Sequence, residues 1–239
     1  MSSFRRFFVE EISGDYVRIE GEEFFHAVNV LRIKVGDKIY LCDGSGFDYL
    51  SEIDTIEKKG FTAKIIEKQA NECEPKKKLT LIAGYLKGDK TELVVQKAVE
   101  LGVNKIVVFS SEFSSSYINE NKLNRLNKVS MEASKQCGRA VAPKVEYADT
   151  LSKALEEGSD SQNKFFACEF AKKGDVDFIK LEGSTSIVVG SEGGFSQKEY
   201  ELALEKGYKT VYLGKRILRA ETASIALVAL IMNALGEMC

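Results

Sequence analysis

Residues 187–207, IVVGSEGGFSQKEYELALEKG, and 210–236, TVYLGKRILRAETASIALVALIMNALG, carry the signature of the fold. Each opens on an apolar strand-like run, breaks at a glycine loop and continues with helical spacing. Ser196 and Glu199 have capping-box spacing, and Gly207 and Gly236 mark helix ends. Two successive strand-loop-helix units predict a sheet with both loops opening side by side at its carboxyl edge, where α/β folds place ligands.

The same rhythm runs back to residue 79. LTLIAGYL is followed by a helix over DKTELVVQKAVELG, capped by Asp89 with Glu92 and stopped by Gly102; KIVVF and a long helix from about Asn119 to Cys137 come next. Before residue 79 the pattern changes. From Arg5 to about Glu72 the runs are short and strand-like, with Gly or Asp-Gly between them, and only Glu22 to Leu31 reads as helix. NECEPKKK, residues 71–78, reads as a linker. The expected fold class is therefore α/β: a compact β-barrel over 1–72, then an α/β domain with a largely parallel sheet over 73–239.

Composition narrows the function classes. Of 239 residues, 44% are apolar and 29% charged, as in a globular protein that needs no membrane or partner to fold. Five scattered cysteines and a single histidine, His26, fit neither a disulfide framework nor a metal site, and no apolar stretch spans a bilayer; the expectation is a reduced, cytoplasmic protein. His26 reads as a packing or capping residue. The net charge of −2 opposes a protein-wide attraction to nucleic acid, so any RNA site must be a local patch. Residues 1–72 hold ten Lys/Arg against fourteen Asp/Glu, leaving the remainder the less repulsive part.

The glycine loops also select a ligand type. Gly190, Gly193 and Gly194 let a ligand approach the backbone, although a plain tight turn explains them equally well. Glu192 inside the loop repels polyphosphate, no Lys-Ser/Thr pair follows, and no GxGxxG follows any strand. S-adenosylmethionine, a phosphate-free sulfonium cation, suits backbone amides beside one acid. In the second loop, Ile217 and Leu218 beside Gly214 form a candidate adenine slot, and Arg216 and Arg219 candidate contacts to an anionic substrate. On the long helix Arg125, Lys128, Glu132, Lys135 and Arg139 define one face; a solvated face is the default reading, and a phosphate-facing surface the functional one.

VGSEGGFSQKE, LGKRILRAETA, KGDKTELVVQKAVELGV, EASKQCGR and RRFFV together resemble the RsmE group of the SPOUT methyltransferases over nearly the whole chain. The resemblance implies a PUA-like N-terminal barrel, a trefoil-knotted catalytic domain and a homodimer. It also implies S-adenosylmethionine-dependent N3-methylation of a uridine, U1498, in 16S rRNA of the small ribosomal subunit. The cofactor pocket would use Glu169, Gly190, Ser191, Glu192, Gly193, Gly194, Leu213, Gly214, Ile217 and Leu218, closed by Thr222 and Ala223. RNA contacts would come from Arg5, Arg6, Arg32, Gln136 and Arg139. Two positions depart from the family pattern: Ser191 stands where Pro is usual, and Phe113 where Arg is usual.

Methylating N3 of uracil requires the imide proton to leave. Arg219 is the candidate for stabilising the developing oxyanion, and Glu221 or Glu192 for accepting the proton. Two alternatives stay open: a non-catalytic RNA-binding or ribosome-assembly factor, and an α/β enzyme acting on a nucleotide or small acid.

Overall fold

The computed structural model describes residues 4–113, 118–169 and 180–238. It holds two compact units, one running to Glu74 and including Ser134–Ala142, the other formed by Pro75–Ala133 and Pro143 onwards.

The first unit is built on β1 (Arg5–Phe8), β2 (Tyr16–Glu20), β3 (Lys38–Cys42), β4 (Phe47–Ile56) and β5 (Gly60–Ala70), in the spatial order β1-β3-β4-β5-β2. Only β1 and β3 run parallel. In β2 buried Val17 and Ile19 alternate with exposed neighbours, the mark of a strand with one face on a core. The sheet is rolled up. Three strand spacings separate β1 from β5, roughly 14 Å in a flat sheet, yet the rings of Phe7 and Phe61 meet edge to face at 5.8 Å. All five strands feed one core with Phe24, Ala27 and Ile33, as the barrel expectation requires.

The helix expected over Glu22–Leu31 is present with a different ending. Helix α1 (Gly21–Phe25) passes into a π-helical turn, His26–Val30, where Leu31 N–H donates to His26 O. Arg32 then adopts a left-handed φ of 53°. The wider turn buries Ala27 and carries the helical segment on to Val30, close to the expected end. The polar run expected as a linker is also engaged: the Asn71 amide donates to Asp48 and to the Gly138 carbonyl, and Glu74 accepts from Arg139 and from the Ala140 and Val141 N–H groups.

The second unit is a six-stranded, fully parallel sheet in the order β11-β9-β10-β6-β7-β8. Its strands are β6 (Leu79–Gly84), β7 (Lys105–Phe109), β8 (Val145–Ala148), β9 (Asn163–Ala167), β10 (Thr185–Val189) and β11 (Lys209–Val211). Helices α2 (Lys90–Glu100), α3 (Glu120–Cys137), α4 (Leu151–Glu156), α5 (Gln197–Glu205) and α6 (Ala220–Ala234) connect or follow them. All of β10 is buried, as expected of a strand covered on both faces. Ser196 and Glu199 make the expected capping box at α5, a motif whose loss costs about 1 kcal/mol. The cap expected at α2 is not made: Asp89 gives no side-chain bond to the helix, and Glu92 instead pairs with Arg125. Among the described residues no helix is long and apolar enough to cross a membrane.

Candidate functional site

Strand register brings the site together. Ala167 at the end of β9 lies opposite Val189 of β10 on one side and Val211 of β11 on the other. Three parallel strands thus end level, and the segments leaving them, 168–169, 190–194 and 212–219, surround a cavity of about 610 Å³. The two glycine loops flank the end of β9 rather than touching along neighbouring strands.

Close backbone approaches shape the floor. A Cβ on Gly84 at the end of β6 would lie 2.4 Å from the Ser191 nitrogen, so the 190–191 backbone passes where a side chain would stand. Phe195 is buried with its ring 4.2 Å from that of Phe166, and a Cβ on Gly190 would meet it at 2.9 Å. Gly194 has a φ of +69°, strained for other residues, and a Cβ there would come within 3.1 Å of the Glu169 carboxylate. Ser191 has its hydroxyl hydrogen-bonded to that of Ser111 at 2.8 Å, which ties the glycine loop to the segment after β7.

The charges on the cavity differ in kind. Glu192 accepts from the Lys90 ammonium at 3.0 Å and from the Lys87 N–H at 3.2 Å. Partial burial works against its charge, but these donors and its own backbone N–H prevail and hold the carboxyl below the usual Glu range. A carboxylate held ionised is a poor proton acceptor, so Glu192 serves better to fasten its loop to the start of α2. Glu221, in the first turn of α6, has one carboxylate oxygen buried without a hydrogen-bond partner among the described residues, the kind of group a cationic or N–H-bearing ligand would satisfy. Arg216 and Arg219 are exposed on the rim without a side-chain partner among the described residues, and Ile217 beside them is fully exposed.

Gly190, Ser191, Gly194, Glu169, Leu213, Gly214, Ile217, Leu218 and Ala223 line the cavity with Glu192, Arg219 and Glu221; Gly193 and Thr222 do not. Sequence reasoning missed Lys90, which reads as an ordinary solvated residue at a helix start, and Gly84, whose need for no side chain comes from a loop more than a hundred residues away.

Residues 73–232 match the RNA methyltransferase domain model, and residues 19–66 the RNA methyltransferase PUA domain model. A ribosomal RNA small subunit methyltransferase E of Mesomycoplasma hyopneumoniae is 33% identical over 93% of this chain and 96% of its own length. That of Bacillus subtilis is 32% identical over 87% and 86%. The chain belongs to this methyltransferase E family. A solved member from Neisseria gonorrhoeae, bound to S-adenosyl methionine, matches with a TM-score of 0.86 at 29% identity, covering 97% of this chain and 98% of that one.

The expected RNA-contacting residues separate into two groups. Arg32, Gln136 and Arg216 are exposed, and Arg125 is exposed while paired with Glu92. Arg5 is exposed and donates to the Leu31 carbonyl. Arg6 and Arg139 are not available in this way. The Arg6 side chain is largely covered in an ion pair with Asp48 and also donates to Cys42 Sγ. Arg139 is 2% exposed and bonded to Glu74. Arg139 therefore does not continue the exposed face of α3; it lies beyond Cys137, where that helix ends.

Proposed function

We propose that this chain transfers the methyl group of S-adenosylmethionine to N3 of a single uridine, U1498, in 16S rRNA. The observation that carries the reading is the orphaned Glu221 oxygen, open to a cationic or N–H-bearing ligand, on a cavity walled by two glycine loops. Bound there, S-adenosylmethionine would supply an electrophilic methyl group on a sulfonium.

The chain's own residues would do the rest. The backbone of Gly190, Ser191 and Gly194, with Leu213, Gly214 and Leu218, would hold the cofactor, and Glu169 would face its cationic groups. Arg219 at the N-cap of α6 would stabilise the negative charge growing on the uracil oxygens as the N3 proton departs. Glu221 is the better placed of the two candidate acceptors, since Glu192 is already held by Lys90. Arg5, Arg32, Arg125, Gln136 and Arg216 would meet RNA, while Arg6 and Arg139 would hold the scaffold. The reading includes a cytoplasmic homodimer with a knotted catalytic domain; fully exposed Ile217 and exposed Leu230 on α6 are apolar surface that a second copy would cover.

Methyl transfer from labelled S-adenosylmethionine to small ribosomal subunits lacking the modification, followed by mapping of the labelled base, tests the proposal. Label at N3 of one uridine is expected. No incorporation, or label on another base, would overturn it.

A further inference from the structure

Phe113 is the one aromatic residue among the strongly exposed large apolar side chains described in the second unit, at 54% exposure. Three contacts hold its segment firmly. The Ser111 hydroxyl bonds to that of Ser191, and the Glu112 N–H donates to the buried Glu199 carboxylate at 3.0 Å. The other Glu199 oxygen is occupied by the capping box of α5. Phe113 itself lies against the glycine loop: a Cβ on Gly193 would sit 2.7 Å from the Phe113 Cβ. The residues on either side of Gly193, Glu192 and Gly194, line the cavity.

A large apolar ring kept in water at a fixed position beside a reaction cavity gains nothing from its own fold. It gains from a flat apolar partner. A uracil that is to meet a methyl donor must leave its neighbours in the RNA, and unstacked bases are commonly caught on aromatic side chains. Uracil offers a π-face for such a contact even though this ring carries no charge for a phosphate.

We infer that Phe113 is the stacking platform for the nucleobase presented to the cavity, a substrate contact made by the ring face. The inference rests on the methyl-transfer reading for the identity of the substrate, and on the geometry of the 111–113 segment for the contact.

The sequence contains no tryptophan, so Phe113→Trp places a single reporter at the site. Protein-free 16S rRNA should quench its emission as a base stacks on the indole. On unmodified small subunits, Phe113→Ala should raise KM for RNA between about five- and a hundredfold, the range of single base-aromatic stacking contacts. Phe113→Tyr and Phe113→Trp should restore KM, with S-adenosylmethionine binding by calorimetry equal in all four proteins. A wild-type KM in Phe113→Ala overturns the inference. So does an indole emission in Phe113→Trp that is already blue-shifted in the free protein and insensitive to RNA, which would mark a ring covered by a second copy. If the wild-type protein binds no S-adenosylmethionine, the methyl-transfer reading falls, while quenching by RNA still decides the stacking contact.

Discussion

Arg139 and Arg219 are the same residue type, read from sequence as contacts for the same RNA substrate, and the fold treats them oppositely. Arg139 is sealed against Glu74 and is 2% exposed, while Arg219, at the N-cap position of α6, is exposed on the rim with no side-chain partner among the described residues. The difference lies in what surrounds each charge. A guanidinium removed from water must be matched, and breaking the match leaves an uncompensated buried ion. A guanidinium left on a rim contributes little to the fold and is available for a substrate. Arg6, its side chain paired with buried Asp48, falls with Arg139; Arg216 falls with Arg219.

Removing the buried guanidinium should have the greatest consequence. Arg139→Ala should destabilise the protein by about 3–5 kcal/mol, measured by denaturant unfolding, with S-adenosylmethionine affinity unchanged under conditions where the variant is folded. A change within about 0.5 kcal/mol would mean that Arg139 belongs with the rim residues after all. Arg219→Ala should do the reverse: unfolding stability within about 0.5 kcal/mol of wild type, and kcat for methyl transfer reduced by about a hundredfold or more. Near-normal turnover would remove Arg219 from the reaction.

These fates were not legible in the sequence because each depends on a distant partner. Arg139 fits the spacing of the α3 face in sequence, and nothing local announces Glu74, 65 residues earlier, as its counter-ion. Lys90 was invisible for the same reason, its partner Glu192 lying 102 residues on. What could be read was local or periodic: the alternation of β2, the capping box of Ser196 and Glu199, the stops at Gly207 and Gly236, and the two glycine loops that reach one cavity. The failed cap at Asp89 shows the limit even there. Glu92 had capping-box spacing, but Arg125 claimed its carboxylate.

A smaller effect is expected from the half-exposed ion pair at the cavity itself. The Glu192 carboxyl is held below its ordinary value of 4.5. Its tie to Lys90 therefore contributes fully above that value and is lost as pH falls through the lowered one. S-adenosylmethionine affinity should weaken across that acidic window in wild type, and Glu192→Gln should remove this component of the pH dependence. An unchanged profile in Glu192→Gln would separate the ion pair from the loop's ability to hold a cofactor.

The proposed reaction depends on the 190–194 and 212–219 loops acting as one cofactor pocket. Gly194 is the position at which that pocket is most easily spoiled, because any side chain there meets both a positive φ and the Glu169 carboxylate. Titration calorimetry of S-adenosylmethionine should show one site per chain in the wild-type protein and at least a tenfold loss of affinity in a folded Gly194→Val variant, equivalent to about 1.4 kcal/mol. Undiminished binding to that variant, or no binding to the wild-type protein, would mean that the two loops do not hold the cofactor.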